Sequence, residues 1–280
     1  MNLTESIESA EQEFRQILED FFVSVYDEKN LLSHGIDHHR RVWCYAKTIL
    51  SVPLRKYDLR PVCNPSELII ACFLHDIGMS VETGPRHGKH SRELCLQFLE
   101  KNRLSENDYH DLLDTIENHD KKDYASESER NDLLTVLSVA DDLDAFGFTG
   151  IYRYSEIYLM RGISPYKLGH LILENAKSRF DNLEKTFDPR NSFVQKARRR
   201  YEILSNFFMH YNIQSESYDF LNAGPEGYCG LIQLFIMLIK YKMAFKDFFR
   251  EAEIYSDDII IGPFLNGLNS ELSSKYQYEH

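Results

Sequence analysis

Histidine is the residue whose distribution first suggests chemistry. Eight of the eleven, His34, His38, His39, His75, His87, His90, His110 and His119, fall in one stretch, and only His170, His210 and His280 lie beyond it. The strongest single feature is the doublet His75-Asp76, which closes the apolar run Leu68-Ile69-Ile70-Ala71-Cys72-Phe73-Leu74 and is followed two residues later by Gly78. Consecutive helical residues point about 100° apart, so both members of a doublet reach one centre only where the helix ends. Gly78 supplies a plausible stop. A bare carboxylate at the mouth of so apolar a helix is costly to bury, and a divalent cation is an effective way to keep it ionised.

His38 opens a second candidate. The run His38-His39-Arg40-Arg41-Val42 starts a helical pattern that continues through Trp43, Tyr45, Ala46, Ile49 and Leu50. Three-and-four spacing puts His38, Arg41 and Val42 on one face and turns His39 elsewhere. His34 lies one turn earlier, but Gly35 stands where a His-Glu-x-x-His zinc protease needs its glutamate, so that reading is set aside. The third candidate is Asp141, at the end of the apolar run 133–140, with Asp142 and Asp144 close behind. Three acids in four residues repel one another unless some meet solvent or a cation sits among them.

The bulk properties narrow the function classes. A chain of 280 residues with 43% hydrophobic residues can bury a sizeable core. Its 32 Lys and Arg against 44 Asp and Glu leave a net charge of −12, a field that repels nucleic acids and anionic membranes and argues against broad nucleic-acid binding. An anionic substrate must then be drawn in by a bound cation or by a local cluster of Arg and Lys. The five cysteines, Cys44, Cys63, Cys72, Cys95 and Cys229, are odd in number, scattered, and contain no Cys-x-x-Cys pair. That usage fits inert thiols in a reducing compartment. The acidic start MNLTESIESAEQEF lacks the basic and apolar regions of a signal peptide, and the apolar run 231–239 is far shorter than the ~20 residues needed to cross a bilayer. A cytoplasmic protein without a membrane partner is expected.

The elements that must position these residues read as helices throughout. Ile7, Phe14, Ile17, Leu18, Phe21, Phe22 and Val25 repeat at helical spacing, alternating runs are scarce, and the fold class is all-α. Turn chemistry marks breaks at 53–65, 78–88, 121–128, 162–165, 188–191 and 222–227, which partition the chain into nine or ten helices. We read an N-terminal helix in 1–30, a central helical domain in 31–162, and a helical C-terminal part in 163–280 that packs on the core or stands apart.

Taken in order, His38, His75-Asp76 and Asp141, each on its own helix, resemble the ligand set of the HD superfamily of metal-dependent phosphohydrolases. HHRRV is similar to that family's His-x-x-Arg-Val opening, FLHDIG to its central doublet, and VADDLDAFGFTGIYR to its closing helix. The closing stretch is also similar to bacterial HD hydrolases that act on nucleotides, some of which release pyrophosphate from nucleoside triphosphates. The likeness covers residues 31–162 and continues more faintly to residue 210.

The resemblance implies an HD helical bundle with additional helices at both ends, and a cation held by His38, His75, Asp76 and Asp141. It implies hydrolysis of a phosphorylated small molecule, a nucleotide first. Manganese is the metal expected from the family, with Fe, Zn, Co, Ni or Mg as alternatives, because mixed imidazole and carboxylate ligands suit divalent transition metals. His87 and His119 stand where some HD families place ligands for a second metal, with His90 competing for the place of His87. Asp76 is expected to orient the attacking water, with Arg41 and His119 completing the catalytic group. Arg41, His87, Lys89, Lys121 and Lys122 are expected to meet substrate, with Arg86, Arg153 and the cluster 196–200 behind them. Two other readings stay open: a two-metal phosphodiesterase that opens cyclic mono- or dinucleotides, and a non-catalytic scaffold that binds a ligand or partner. The aromatic-rich stretch 245–278 leaves a homo-oligomer open as well.

Overall fold

The computed structural model describes residues 2–26, 31–121 and 131–273. These residues form twelve α-helices and four short 3₁₀ turns, with no strand among them, as the periodicity predicts. The helices exceed the nine or ten expected because pieces such as residues 110–118 and 245–252 are too short to display a full periodic stripe.

Helices α1 (Leu3–Val25), α2 (Ile36–Ile49), α3 (Pro65–Leu74), α4 (His87–Lys101), α5 (His110–Asn118) and α6 (Asp132–Asp144) supply most of one apolar cluster. At its centre lies α3, whose residues from Leu68 to Leu74 are all fully buried. Withdrawing side chains of this kind from water stabilises the fold by roughly 1.5–3 kcal/mol each. This helix starts where local chemistry dictates, with the Asn64 side chain accepting from Ser66 N–H and Pro65 in the first turn. Helix α1 lays Ala10, Phe14, Leu18, Phe21 and Phe22 against it. Asn2 and Glu5 close the start of α1 as a reciprocal capping box. Trp43 on α2 adds a polar tie, its Nε1–H donating to Glu11 at 2.6 Å.

Helices α7 (Gly147–Met160), α8 (Pro165–Thr186), α9 (Ser192–Ser215), α10 (Gly227–Lys240), α11 (Phe245–Ala252) and α12 (Ile261–Ser273) build a second cluster rich in Phe and Tyr. Two of them span both clusters. Phe180, Leu183, Phe193 and Val194 pack in the first, whereas Leu168, Ile172, Phe207 and Phe208 pack in the second. The packing therefore changes cluster within α8 and α9 rather than at a linker.

The turn from α6 into α7 is fixed from a distance. Gly147 takes φ 73°, a left-handed value that favours glycine, and a Cβ there would lie 2.3 Å from Glu271. The Glu271 carboxylate on α12 accepts from Thr149 N–H at 2.9 Å and Thr149 Oγ1 at 2.8 Å, which satisfies the start of α7. Arg200 on α9 donates to the carbonyls of Leu143 and Phe146 at 2.9 and 2.7 Å. Two C-terminal elements, α9 and α12, thus set where α6 ends and α7 begins, and those helices carry charged groups described next.

Candidate metal centre

Helix ends converge to build the site. His38 lies in the first turn of α2, His75 caps the end of α3 with Asp76 just beyond, His87 opens α4, His119 caps the end of α5, and Asp141 sits in the last turn of α6. The doublet points to one centre because α3 stops at Leu74 and Asp76 adopts φ −108°, ψ 6° at the entry to a 3₁₀ turn, Ile77–Ser80. Gly78 serves a purpose other than the stop expected of it. The helix has already ended, and a Cβ at Gly78 would meet the His87 carbonyl at 2.2 Å and Ser91 N at 2.5 Å. It is the close approach of α4, and with it His87, that requires glycine here.

The four residues His38, His75, Asp76 and Asp141 are buried and can offer donor atoms to one ion. His38 Nε2 lies 3.3 Å from His75 Nε2, 3.7 Å from Asp76 Oδ2 and 3.9 Å from Asp141 Oδ1. His75 Nε2 lies 3.4 Å from Asp76 Oδ2 and 3.9 Å from Asp141 Oδ1. Asp76, His87 and His119 make a second such group. Asp76 Oδ1 lies 3.0 Å from His119 Nε2 and 3.3 Å from His87 Nε2, which are themselves 3.4 Å apart. One carboxylate therefore gives an oxygen to each group. Ligands bound at about 2.1 Å around a divalent cation lie about 3.0–3.4 Å from one another, so the tightest of these spacings suit a shared ion.

The hydrogen bonds test the fit. His75 Nδ1 bonds the Cys72 carbonyl at 3.1 Å, His87 Nδ1 that of Gly84 at 2.8 Å, and His119 Nδ1 that of Ile116 at 2.7 Å. His38 Nδ1 bonds Asp144 Oδ2 at 2.8 Å. Carbonyl and carboxylate oxygens only accept, so these contacts assign the proton to Nδ1 and leave Nε2 as the lone-pair nitrogen. Four lone pairs then converge on one carboxylate, an arrangement that needs protons or cations between the acceptors. The same pattern of outer hydrogen bonds holds histidines in metal sites.

The electrostatics agree with this geometry. Burial alone would raise the Asp76 carboxyl, but His75, His119 and His38 hold it well below the usual carboxylate range. Burial and the Arg153 guanidinium push the His38 imidazole down, against the pull of Asp144 and Asp76. His87 goes the other way: burial opposes its charge, yet Asp76, Asp120 and the Gly84 carbonyl raise it to about 9. His39, which the spacing turned elsewhere, is buried as well; its Nδ1 shares the Cys72 carbonyl at 3.0 Å, and burial beside His38 and His75 keeps it neutral.

Several expected substrate contacts are not brought to the site. Arg41 forks onto Asp144, with Nε 2.6 Å from Oδ1 and Nη2 2.9 Å from Oδ2, so it braces the carboxylate behind His38 instead of meeting substrate. Lys89 is exposed and does not line the central pocket. Lys121 is exposed too and donates to Asn118 at 2.7 Å, Arg86 pairs with Glu82, and Lys122 lies outside the described residues. His90 pairs outward with Glu93 and Glu82, so His87 is the histidine that α4 supplies.

Three arginines border the pocket instead. The pocket beside the centre has a volume of about 120 Å³ and is lined by Asp76, His87, His119 and Asp141 and by these arginines, Arg153 on α7, Arg161 just past its end and Arg179 on α8. Arg153 donates to Asp144 at 3.1 Å and Asp141 at 3.3 Å, and Arg179 to Asp142 at 2.7 Å and Asp141 at 3.2 Å. The three acids in four residues are thus spaced by arginines. Asp144 is held well below the carboxylate range, since Arg41, Arg153 and His38 outweigh its burial. It is the functional residue that spacing alone did not single out, and its separation of three from Asp141 on one helical face was the available signal.

With this geometry in view, residues 35–145 match the family model of the HD domain. The match supports the HD-domain superfamily, whose members are in general metal-dependent hydrolases, and the buried His and Asp cluster fits that chemistry. No curated protein and no solved structure matches the chain at a significant level. Among the described residues no helix is long and apolar enough to cross a membrane.

Proposed function

We propose that this protein is a metal-dependent phosphohydrolase acting on a small phosphorylated molecule, a nucleotide first. A divalent cation at such a centre polarises a phosphoryl oxygen and lowers the pKa of a bound water to the neutral range. His38, His75, Asp76 and Asp141 would hold it, and manganese is the first metal to test. Asp76 would orient the attacking water; in support, its carboxylate lies at the meeting point of both groups and is held well below the usual carboxylate range by His75, His119 and His38. Arg153 and Arg179, which border the pocket beside Asp141, would stabilise negative charge developing on the phosphoryl group. The observation that carries this reading is the convergence of four histidine Nε2 atoms on one carboxylate, each Nδ1 proton already committed elsewhere.

The reading is tested by loading the purified chain with manganese, counting metal per chain, and screening nucleotides and other phosphorylated metabolites for released phosphate or pyrophosphate. Turnover by the wild type that disappears in Asp76→Ala, with the helical spectrum retained, is the expected result. A metal-loaded protein silent across the panel would leave the scaffold reading in its place.

The Asp76, His87 and His119 group favours one alternative, a two-metal phosphodiesterase that opens cyclic nucleotides. The pocket, about 120 Å³, takes a phosphate group more readily than a whole nucleotide, so in either reading the rest of a nucleotide would lie outside it. Linear and cyclic substrates assayed side by side separate the two.

A further inference from the structure

The pocket beside the metal centre is lined by two chemically different sets of groups. One presents acceptors, the histidine nitrogens and carboxylate oxygens already described. The other, formed by the end of α7 and the middle of α8, presents donors. Arg161 follows α7 directly and borders the pocket, with its Nε–H donating to the Thr83 carbonyl at 2.9 Å. Asn175 on α8 accepts through Oδ1 from Tyr154 Oη–H at 2.7 Å and from Arg179 Nε–H at 2.9 Å. Its oxygen is therefore occupied, and the amide NH₂ is the end left to a ligand. Tyr158 adds a hydroxyl to the same wall. Asp120 also borders the pocket, 4.0 Å from His87 Nε2 and so near the acceptor side. Tyr158, Arg161, Asn175 and Arg179 lie beyond residues 35–145, so the match to the HD domain does not assign them.

A wall of guanidinium, amide and hydroxyl donors recognises an anion, and arginine in particular suits the planar or tetrahedral oxygens of carboxylate and phosphate. The metal side receives one phosphoryl group, and the pocket holds little beyond it. We propose that Arg161, Arg179 and Asn175 form a subsite for a second anionic group of the substrate, a phosphate or carboxylate adjacent to the phosphoryl group under attack. This rests on the function proposed above and deepens it, since the preferred substrate then carries two neighbouring anionic groups.

Arg161→Gln is the informative change, because Arg161 is exposed on the rim while Arg179 touches Asp141 and cannot be altered without disturbing the metal side. The full chain loaded with manganese is titrated calorimetrically with orthophosphate, with the non-hydrolysable imidodiphosphate, and with phosphonoacetate. The wild type is expected to bind imidodiphosphate at least about tenfold more tightly than orthophosphate, and Arg161→Gln to erase about that factor for imidodiphosphate alone. Phosphonoacetate behaving like imidodiphosphate assigns the subsite to any second anion; weaker binding of it assigns the subsite to phosphate. Arg161→Lys, which keeps the charge, should restore most of the affinity, and Lys246→Gln on the distant α11 should change nothing.

A merely structural Arg161, holding the loop at Thr83 that leads to His87, would lower metal content or weaken both phosphates equally. Either result overturns the subsite, as does a wild type that does not discriminate between the two phosphates. These titrations need no turnover. A protein that discriminates but hydrolyses nothing leaves the subsite standing while the hydrolase reading fails.

Discussion

The two sides of Asp76 are built differently. On the His38, His75 and Asp141 side, His75 leans on the Cys72 carbonyl three residues before it, but the other supports come from remote elements: His38 leans on Asp144, which is gripped in turn by Arg41 and Arg153, while Arg179 holds Asp141 and Asp142. On the His87 and His119 side, each imidazole is oriented by a carbonyl three residues before it, Gly84 or Ile116. A carboxylate behind an imidazole raises its basicity toward a metal, whereas a neutral carbonyl mainly fixes its direction. Of the two candidate groups the first is therefore the more heavily braced, and the second shares its only carboxylate with it. Charge already sealed by long-range partners makes the first side part of the fold itself, and the second side an attachment to it.

The sharpest way to break this comparison is to remove what both sides share. Asp76→Ala should empty both groups and lower turnover by more than about 1,000-fold, as loss of a catalytic carboxylate and its cation does, with metal counts and rates measured together. If metal content stayed at the wild-type value, Asp76 would not join the two sides. His119→Ala separates them: one cation per chain should remain, and turnover should fall by about 100-fold with the helical spectrum unchanged. Two cations retained in that variant would remove the second group from the reading.

A smaller effect is expected behind the first side. Asp144→Asn should weaken cation binding there by about 10–100-fold in a chelator competition, the usual cost of losing an outer partner of a histidine ligand. It should also lower the melting temperature, because Arg41 and Arg153 lose the buried charge they pair with. Unchanged affinity would mean that the first side needs no carboxylate behind it.

Protonation gives the mildest test. In the metal-free protein His87 is raised to about 9, so at neutral pH its proton must be displaced before a cation can bind. Affinity at the second side should rise by about tenfold per pH unit between pH 7 and pH 9 and level off above, one proton being released per ion. On the first side His38 is pushed down by burial and Arg153 and imposes no such cost at neutral pH, whereas Asp76 and Asp141 raise His75 against its burial. Isothermal titrations in buffers of different ionisation enthalpy count the protons; a pH-independent second side would contradict the assignment.

Much of the centre was legible from local chemistry. A helix as apolar as Leu68 to Leu74 has to be buried, and a His-Asp doublet at its end has to be held by something. Asp141 was legible for the same reason, although α6 runs on through Asp144 instead of stopping beside it. Arg41 shows the limit. Its helical face was read correctly, but its partner, Asp144, lies 103 residues away, and a long flexible side chain goes where its counter-charge is. Arg179 was invisible by the same logic, being 38 residues from Asp141 in a stretch of ordinary charged helix.

By itself the sequence determined that this chain is helical and which imidazoles and carboxylates could bind a cation, because burial and helix ends are set by neighbours within a few residues. Only the tertiary structure decided that one carboxylate faces two histidine pairs, and that the cations beside it come from α7 and α8. Those choices depend on which helix ends meet and which charges find one another across the fold, and distances of that kind are not written in local spacing.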